Sequence, residues 1–176
     1  MMLLCLLPVK SFALDAKISD FLITNTPNNV IVYFRVNNCF TDEIREAILA
    51  GIPTTFTFYL RLYRQRNFWR DKTLTDLEIK HTIKYDNVKK MFYVHYTGYD
   101  RNPEQFTSFK RAQAAMSDLN GLAVAPLRVL TRNKRYYVRV KAELDKVRLP
   151  LHMEYVFFFV SLWDFETDWY REDFIY

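Results

Sequence analysis

Glycine is nearly missing from this chain. Its 176 residues include only Gly51, Gly98 and Gly121. No G-x-G-x-x-G fingerprint, Walker A loop or G-x-S-x-G elbow can be written with glycines so far apart. Cysteine is as scarce. Cys5 and Cys39 supply neither a C-x-x-C pair nor an all-cysteine zinc site. The histidines are His81, His95 and His152, and no H-E-x-x-H motif occurs. Charge of one sign is also lacking, since 25 basic residues face 20 acidic ones. No apolar run reaches the ~20 residues of a spanning helix. A triad assembled from distant residues is invisible to this reading.

What the chain has instead is aromatic side chains, with 15 Phe, 12 Tyr and 3 Trp. Apolar residues make up 50% and charged residues 26%, the balance of a globular chain rather than a disordered one. The length suits one domain with a core that needs no disulfide or metal.

The first residues read as an address. Met1 to Val9 is apolar and Ser11-Phe12-Ala13 is a small-x-small triplet, together the pattern of a secretory signal cleaved after Ala13. The run lacks the usual positive segment ahead of it, and an N-terminal strand is the plainer alternative. Retention as a membrane anchor is the other outcome left open. The expected organisation is a signal peptide over 1–13 and a single β-rich domain over 14–176. Export would make the protein periplasmic or envelope-bound and would leave Cys39 without a partner. A lone thiol in an oxidising compartment is expected to be buried.

Period-two alternation dominates the mature chain. At 29–37, Val30, Val32, Phe34 and Val36 share one side. At 54–65, Phe56, Phe58, Leu60 and Leu62 oppose Tyr59, Arg61 and Tyr63. Segments 77–86 and 135–144 alternate in the same way, and weaker strands fall at 16–25, 90–97 and 169–176. Such segments predict antiparallel strands with one buried face each. Asp86-Asn87 predicts a hairpin turn. Thr41-Asp42-Glu43 caps a short helix through Ile44, Ile48 and Leu49, ended by Gly51 and Pro53. A second helix starts between Asn102-Pro103 and Thr107, carries Phe106, Phe109, Ala112, Met116 and Leu119 on one stripe, and ends at Asn120-Gly121. Leu149-Pro150-Leu151 reads as extended. Residues 151–163 are apolar on all sides, and periodicity leaves helix and buried strand both open.

The expected fold is mainly β: an antiparallel β-sandwich-like fold of six to eight strands with two or three peripheral helices. The alternative is α+β, one antiparallel sheet with helices on one face.

Longer stretches carry a resemblance. "GIPTTFTFYLRLYR" at 51–64, "AELDKVRLPL" at 142–151 and "FFFVSLWDFETDWY" at 157–170 resemble the bacterial family known as domain of unknown function 4390. The resemblance spans essentially the whole mature chain. It implies an exported, β-rich protein linked to a membrane sensor or envelope complex. It carries no activity and no catalytic residues.

Four constellations bear on function. The first is basic and aromatic: Tyr59, Arg61 and Tyr63 on one polar strand face, Lys80 and Lys84 on another, and Arg135, Tyr137, Arg139 and Lys141 on a third. Cations interleaved with rings can meet a carboxylate-rich protein partner, anionic lipid head groups or single-stranded nucleic acid. Export and modest net charge rank nucleic acid last. The plainer meaning is cross-strand pairing that covers a solvated sheet. The second constellation is Asp164, Glu166 and Asp168, which alternate onto one strand face where carboxylates could bind Ca²⁺ or do acid–base work on an envelope polysaccharide. Edge charges are the plainer meaning. The third is the histidine set, which could form zinc ligands only if the fold gathers them. The fourth is Asp145-Lys146-Val147-Arg148, a charged strand end.

The expected function is a non-enzymatic, exported binding or interaction module of the bacterial envelope. The expected chemistry involves no cofactor and no metal, with an envelope or membrane protein as partner and peripheral membrane contact as a further option. The alternatives are a carboxylate-dependent enzyme and an envelope assembly factor.

Overall fold

The computed structural model describes residues 15–145 and 165–176. Residues 1–13, expected to be a signal peptide, the apolar stretch 151–163, His152, Asp164 and residues 146–148 lie outside them.

Two antiparallel sheets form the domain. The smaller has the order β1-β2-β7, from β1 (Lys17–Asn25), β2 (Asn29–Asn37) and β7 (Asp118–Pro126). The larger has the order β6-β5-β4-β3-β8-β9, from β3 (Thr54–Arg64), β4 (Lys72–Asp86), β5 (Met91–Thr97), β6 (Glu104–Phe106), β8 (Arg135–Leu144) and β9 (Tyr170–Ile175). The mainly β, sandwich-like architecture is therefore the one the alternation predicts. Nine strands are described rather than six to eight. The additions are the three-residue β6 and β7, which falls partly in the stretch read as helix.

One face of the large sheet is the core. Phe56, Phe58, Leu60 and Leu62 of β3 are fully buried, as are Val138, Val140 and Ala142 of β8. The small sheet covers them, with Phe34 of β2 meeting Phe58 at a ring separation of 6.1 Å. Each such side chain contributes about 1.5–3 kcal/mol before the entropy cost of folding. Helix α1 (Asp42–Leu49) begins where the sequence places it, with the Ile44 N–H donating to the Thr41 side chain. Helix α2 (Phe109–Ser117) buries Ala112 and Met116 against the same core.

Helix α2 is shorter than its apolar stripe suggests. Phe106 belongs to β6, and β7 begins at Asp118 directly after the helix. Asn120-Gly121 is therefore not a helix end. The β2–β7 register passes from Val32↔Leu122 to Phe34↔Leu119, so Asn120 and Gly121 together oppose Tyr33 in a β-bulge. Gly121 takes φ +75° there, a conformation that costs glycine little. Gly98 is constrained more tightly. At φ +95°, an added Cβ would lie 2.3 Å from the Glu78 carbonyl oxygen.

Cys39, the one cysteine among the described residues, is buried as expected. Cys39 is 2% exposed and its Sγ donates to the Val36 carbonyl at 3.3 Å. Burial pushes the thiol up to about 12, so it is inert as a nucleophile.

Candidate interaction face and its basic end

Register gathers what the sequence scatters. β3 pairs with β8 so that Tyr59 lies beside Lys141, Arg61 beside Arg139 and Tyr63 beside Tyr137. Arg135 opens β8, and its carbonyl accepts the Gln65 N–H at 3.0 Å. The candidates on separate strands thus share one face, opposite the core. β4 brings Asp76 beside Arg61 and Glu78 beside Tyr59. β9 brings Arg171 beside Arg139 and Asp173 beside Tyr137.

Along the middle of this face the polar groups satisfy one another. Tyr59 donates to Glu143 Oε1 at 2.8 Å. That hydrogen bond, ahead of burial, pushes its phenol up to about 12. Arg61 Nε reaches both Asp76 oxygens at 3.1 Å. Lys141 Nζ lies 2.6 Å from Glu166 Oε1 and 3.7 Å from Glu143. Lys80 bridges Glu78 at 3.1 Å and Asp145 at 3.2 Å. The guanidinium groups of Arg61 and Arg139 lie 5.1 and 4.8 Å from the Trp169 ring.

Tyr137 is the most enclosed of the set. It is 7% exposed, stacks on Tyr63 at 4.9 Å, and lies 3.8 Å below the Arg171 guanidinium. Its hydroxyl donates to Asp71 Oδ2 at 2.8 Å. Burial first, and that carboxylate second, push its phenol up to about 12. The face is a lattice of cross-strand pairs, so its rings and cations are held in place by one another.

Of the carboxylate trio, Glu166 and Asp168 do not line one cleft together. Asp164 lies outside the described residues. Glu166 is 60% exposed at its side chain and engaged by Lys141. Asp168 is exposed, while Phe165 and Thr167 between them are buried. Among the described residues, no group of three His, Cys, Asp or Glu side chains could hold a metal ion. His81 and His95 point to opposite faces, because His81 pairs with Tyr96 and His95 with Thr82.

His81 is fully buried instead. Its Nδ1 lies 3.0 Å from the Met116 carbonyl, and its Nε2 lies 2.9 Å from the Tyr99 hydroxyl. A carbonyl only accepts, so Nδ1 carries the proton and Nε2 accepts from Tyr99. Burial lowers the imidazole to about 4.

The end of the face where β3 turns into β4 is built differently. Arg64, Arg66, Lys134 and Arg135 line one concavity of about 810 Å³ together with Phe68. Phe68 is 92% exposed and its neighbour Trp69 is 81% exposed. None of Arg64, Arg66, Arg70, Arg132, Lys134 and Arg135 forms an ion pair among the described residues. The nearby carboxylates are engaged elsewhere. Asp71 accepts the Arg66 backbone N–H at 2.9 Å and the Tyr137 hydroxyl, and these bonds lower its pKa. Asp173 is held by Arg171 at 2.7 Å.

This end is also anchored. The buried Tyr136 hydroxyl accepts the Thr131 N–H at 2.7 Å and donates to the Thr131 carbonyl at 3.2 Å. Of this cluster, sequence reading singled out Arg135 alone. The signal for Phe68, Trp69 and the arginines beside them was the segment "RQRNFWRDK" at 64–72, where rings sit between cations and the strand pairing runs out beyond Arg64 and Lys72.

The fold and this face define a β-sandwich of two antiparallel sheets with one self-paired polar surface. The chain matches the family described as a domain of unknown function, DUF4390, over residues 13–173. The match spans nearly all of it, and the chain belongs to that family. No curated protein and no solved structure matches it. Among the described residues, no helix is long and apolar enough to cross a membrane.

Proposed function

We propose that this protein is a non-enzymatic interaction module of the bacterial cell envelope, exported by its N-terminal segment, that presents the outer face of the large sheet to an envelope protein. The observation that carries the reading is the convergence of Tyr59, Arg61, Tyr63, Tyr137, Arg139 and Lys141 on one sheet face through the β3–β8 register. A pre-ordered sheet face of rings and cations suits a protein partner better than a small substrate. The apolar run Met1–Val9 followed by Ser11-Phe12-Ala13 supports export.

The test is a photo-crosslinker in the native bacterium, placed at Glu78. This residue is exposed on the face, whereas Tyr137 is buried beneath Arg171. A single dominant adduct that fractionates with the envelope is expected. Free protein with no adduct would overturn the reading.

A further inference from the structure

The β3–β4 end joins cations without an ion pair to Phe68 and Trp69, the two most exposed rings among the described residues. We infer that this end is a membrane-docking tip that seats on an anionic phospholipid bilayer, with Phe68 and Trp69 entering the headgroup boundary and the surrounding cations holding phosphates. The inference rests on the envelope location proposed above and adds a second surface with a different partner.

Charge complementarity selects the occupant. Arg64, Arg66, Lys134 and Arg135 line one concavity that no carboxylate lines. A bilayer rich in anionic lipid attracts such clusters, and the attraction adds up per cation. The apolar part fits as well. Phe68 and Trp69 stand almost fully exposed at the turn, and Ile175, 69% exposed, pairs with Arg135 at the same sheet end. Exposed aromatic and aliphatic groups ringed by cations suit the interfacial zone, where tryptophan rings concentrate. A folded protein partner would be expected to offer carboxylates in register, as β4 and β9 already do for the middle of the face.

The tip is also ready-made. The Tyr136 hydroxyl fixes the strand-entry loop at Thr131, Asp71 fixes the turn at the Arg66 N–H, and the Gln65–Arg135 backbone bond joins the two. Docking therefore needs little further ordering of the backbone. Asp145 and Phe165, which flank the undescribed stretch, lie at the opposite end of β8, as the Leu144 N–H bond to the Phe165 carbonyl shows. Strands standing on their tip would leave the outer face open to the side.

The test is co-sedimentation of the full chain with vesicles of phosphatidylglycerol mixed into phosphatidylethanolamine, against vesicles of phosphatidylcholine alone, at low and high salt. Three outcomes are expected together. Binding is confined to the anionic vesicles and falls with salt. The pair Arg66→Glu and Lys134→Glu weakens it by at least about tenfold. The pair Phe68→Ser and Trp69→Ser weakens it and removes a blue shift of tryptophan emission. Thermal unfolding of both variants should stay close to the parent, because all four side chains are exposed. Any contribution of the apolar N-terminus is equal in all these proteins.

Equal binding to both vesicle types, binding insensitive to the tip substitutions, or tighter binding of a single-stranded oligonucleotide than of the vesicles would each overturn the inference. Vesicle failure with the Glu78 adduct retained would remove the tip alone. Vesicle binding with no adduct would remove the partner face alone.

Discussion

The middle of the outer face and its β3–β4 end are made from the same kinds of residue and arranged in opposite ways. In the middle, Arg61, Lys80, Lys141 and Arg171 each meet a carboxylate, and Tyr137 is 7% exposed. At the end, six cations meet none among the described residues, and Phe68 is 92% exposed. Composition does not distinguish the two regions; register does. On a strand, each side chain has a fixed cross-strand neighbour about 5 Å away, so an acid can be placed opposite a base. At the end, Arg64 faces Lys72 and Tyr136 and Arg135 faces Ile175, so no acid stands opposite either, and Arg66 and Arg70 in the turn have no strand neighbour at all. A Tyr/Arg-rich stretch on a strand therefore meets a partner with its charges already matched by neighbours, whereas one in an anchored turn meets it with its charges open.

The comparison breaks first if the middle of the face is not structural. Tyr137→Ala removes the stack on Tyr63, the seat of Arg171 and the bond to Asp71 together. It should cost about 3 kcal/mol in urea unfolding, in the range of large aromatic truncations. Tyr137→Phe keeps the stack and should cost about 1 kcal/mol. A neutral Tyr137→Ala would mean that the lattice is decoration.

Acid separates the interior from the surface. His81 titrates at about 4 in the folded protein against 6.5 in the unfolded chain. As pH falls through that window, the unfolded state takes up a proton that the folded state refuses. Stability is therefore full above about pH 6.5 and declines toward pH 4, by up to about 3 kcal/mol. The carboxylates Asp71 and Asp173, lowered by their partners, add their own losses only at more acid pH. Unfolding free energies at neutral and mildly acid pH check this, with His81→Gln expected to flatten the slope. An unchanged slope would assign the acid sensitivity to another group.

Much of this fold is legible in the residues. The alternation at 29–37 and 135–144 matches β2 and β8 at both ends, and Thr41 caps α1 as its side chain predicts. Where the reading falls short, the reason is a tertiary pairing. The apolar spacing from Phe106 to Leu119 fits a helix, yet Leu119 is fixed by its pairing with Phe34 in a bulged strand. Local sequence holds no record of that partner. The site was half legible for the same reason. Tyr59, Arg61, Tyr137 and Arg139 were visible as polar strand positions, but their meeting on one face depends on β3 lying beside β8. Phe68 and Trp69 were passed over because a turn has no period to read.

Smaller effects sharpen the contrast. Trp169→Ala withdraws the ring beneath Arg61 and Arg139 and should cost about 1–2 kcal/mol, since both contacts are partly solvated. The corresponding change at the end of the face is the pair Arg66→Ala and Lys134→Ala, and here the expected effect on stability is within about 0.5 kcal/mol. Its sign is informative. Unmatched cations crowded around one concavity repel one another, so their removal should leave the melting temperature unchanged or raise it slightly at low salt, and the gain should shrink as salt screens the repulsion. A clear loss of stability instead would show that these side chains hold a partner within the fold, and the end would then be no different in kind from the middle.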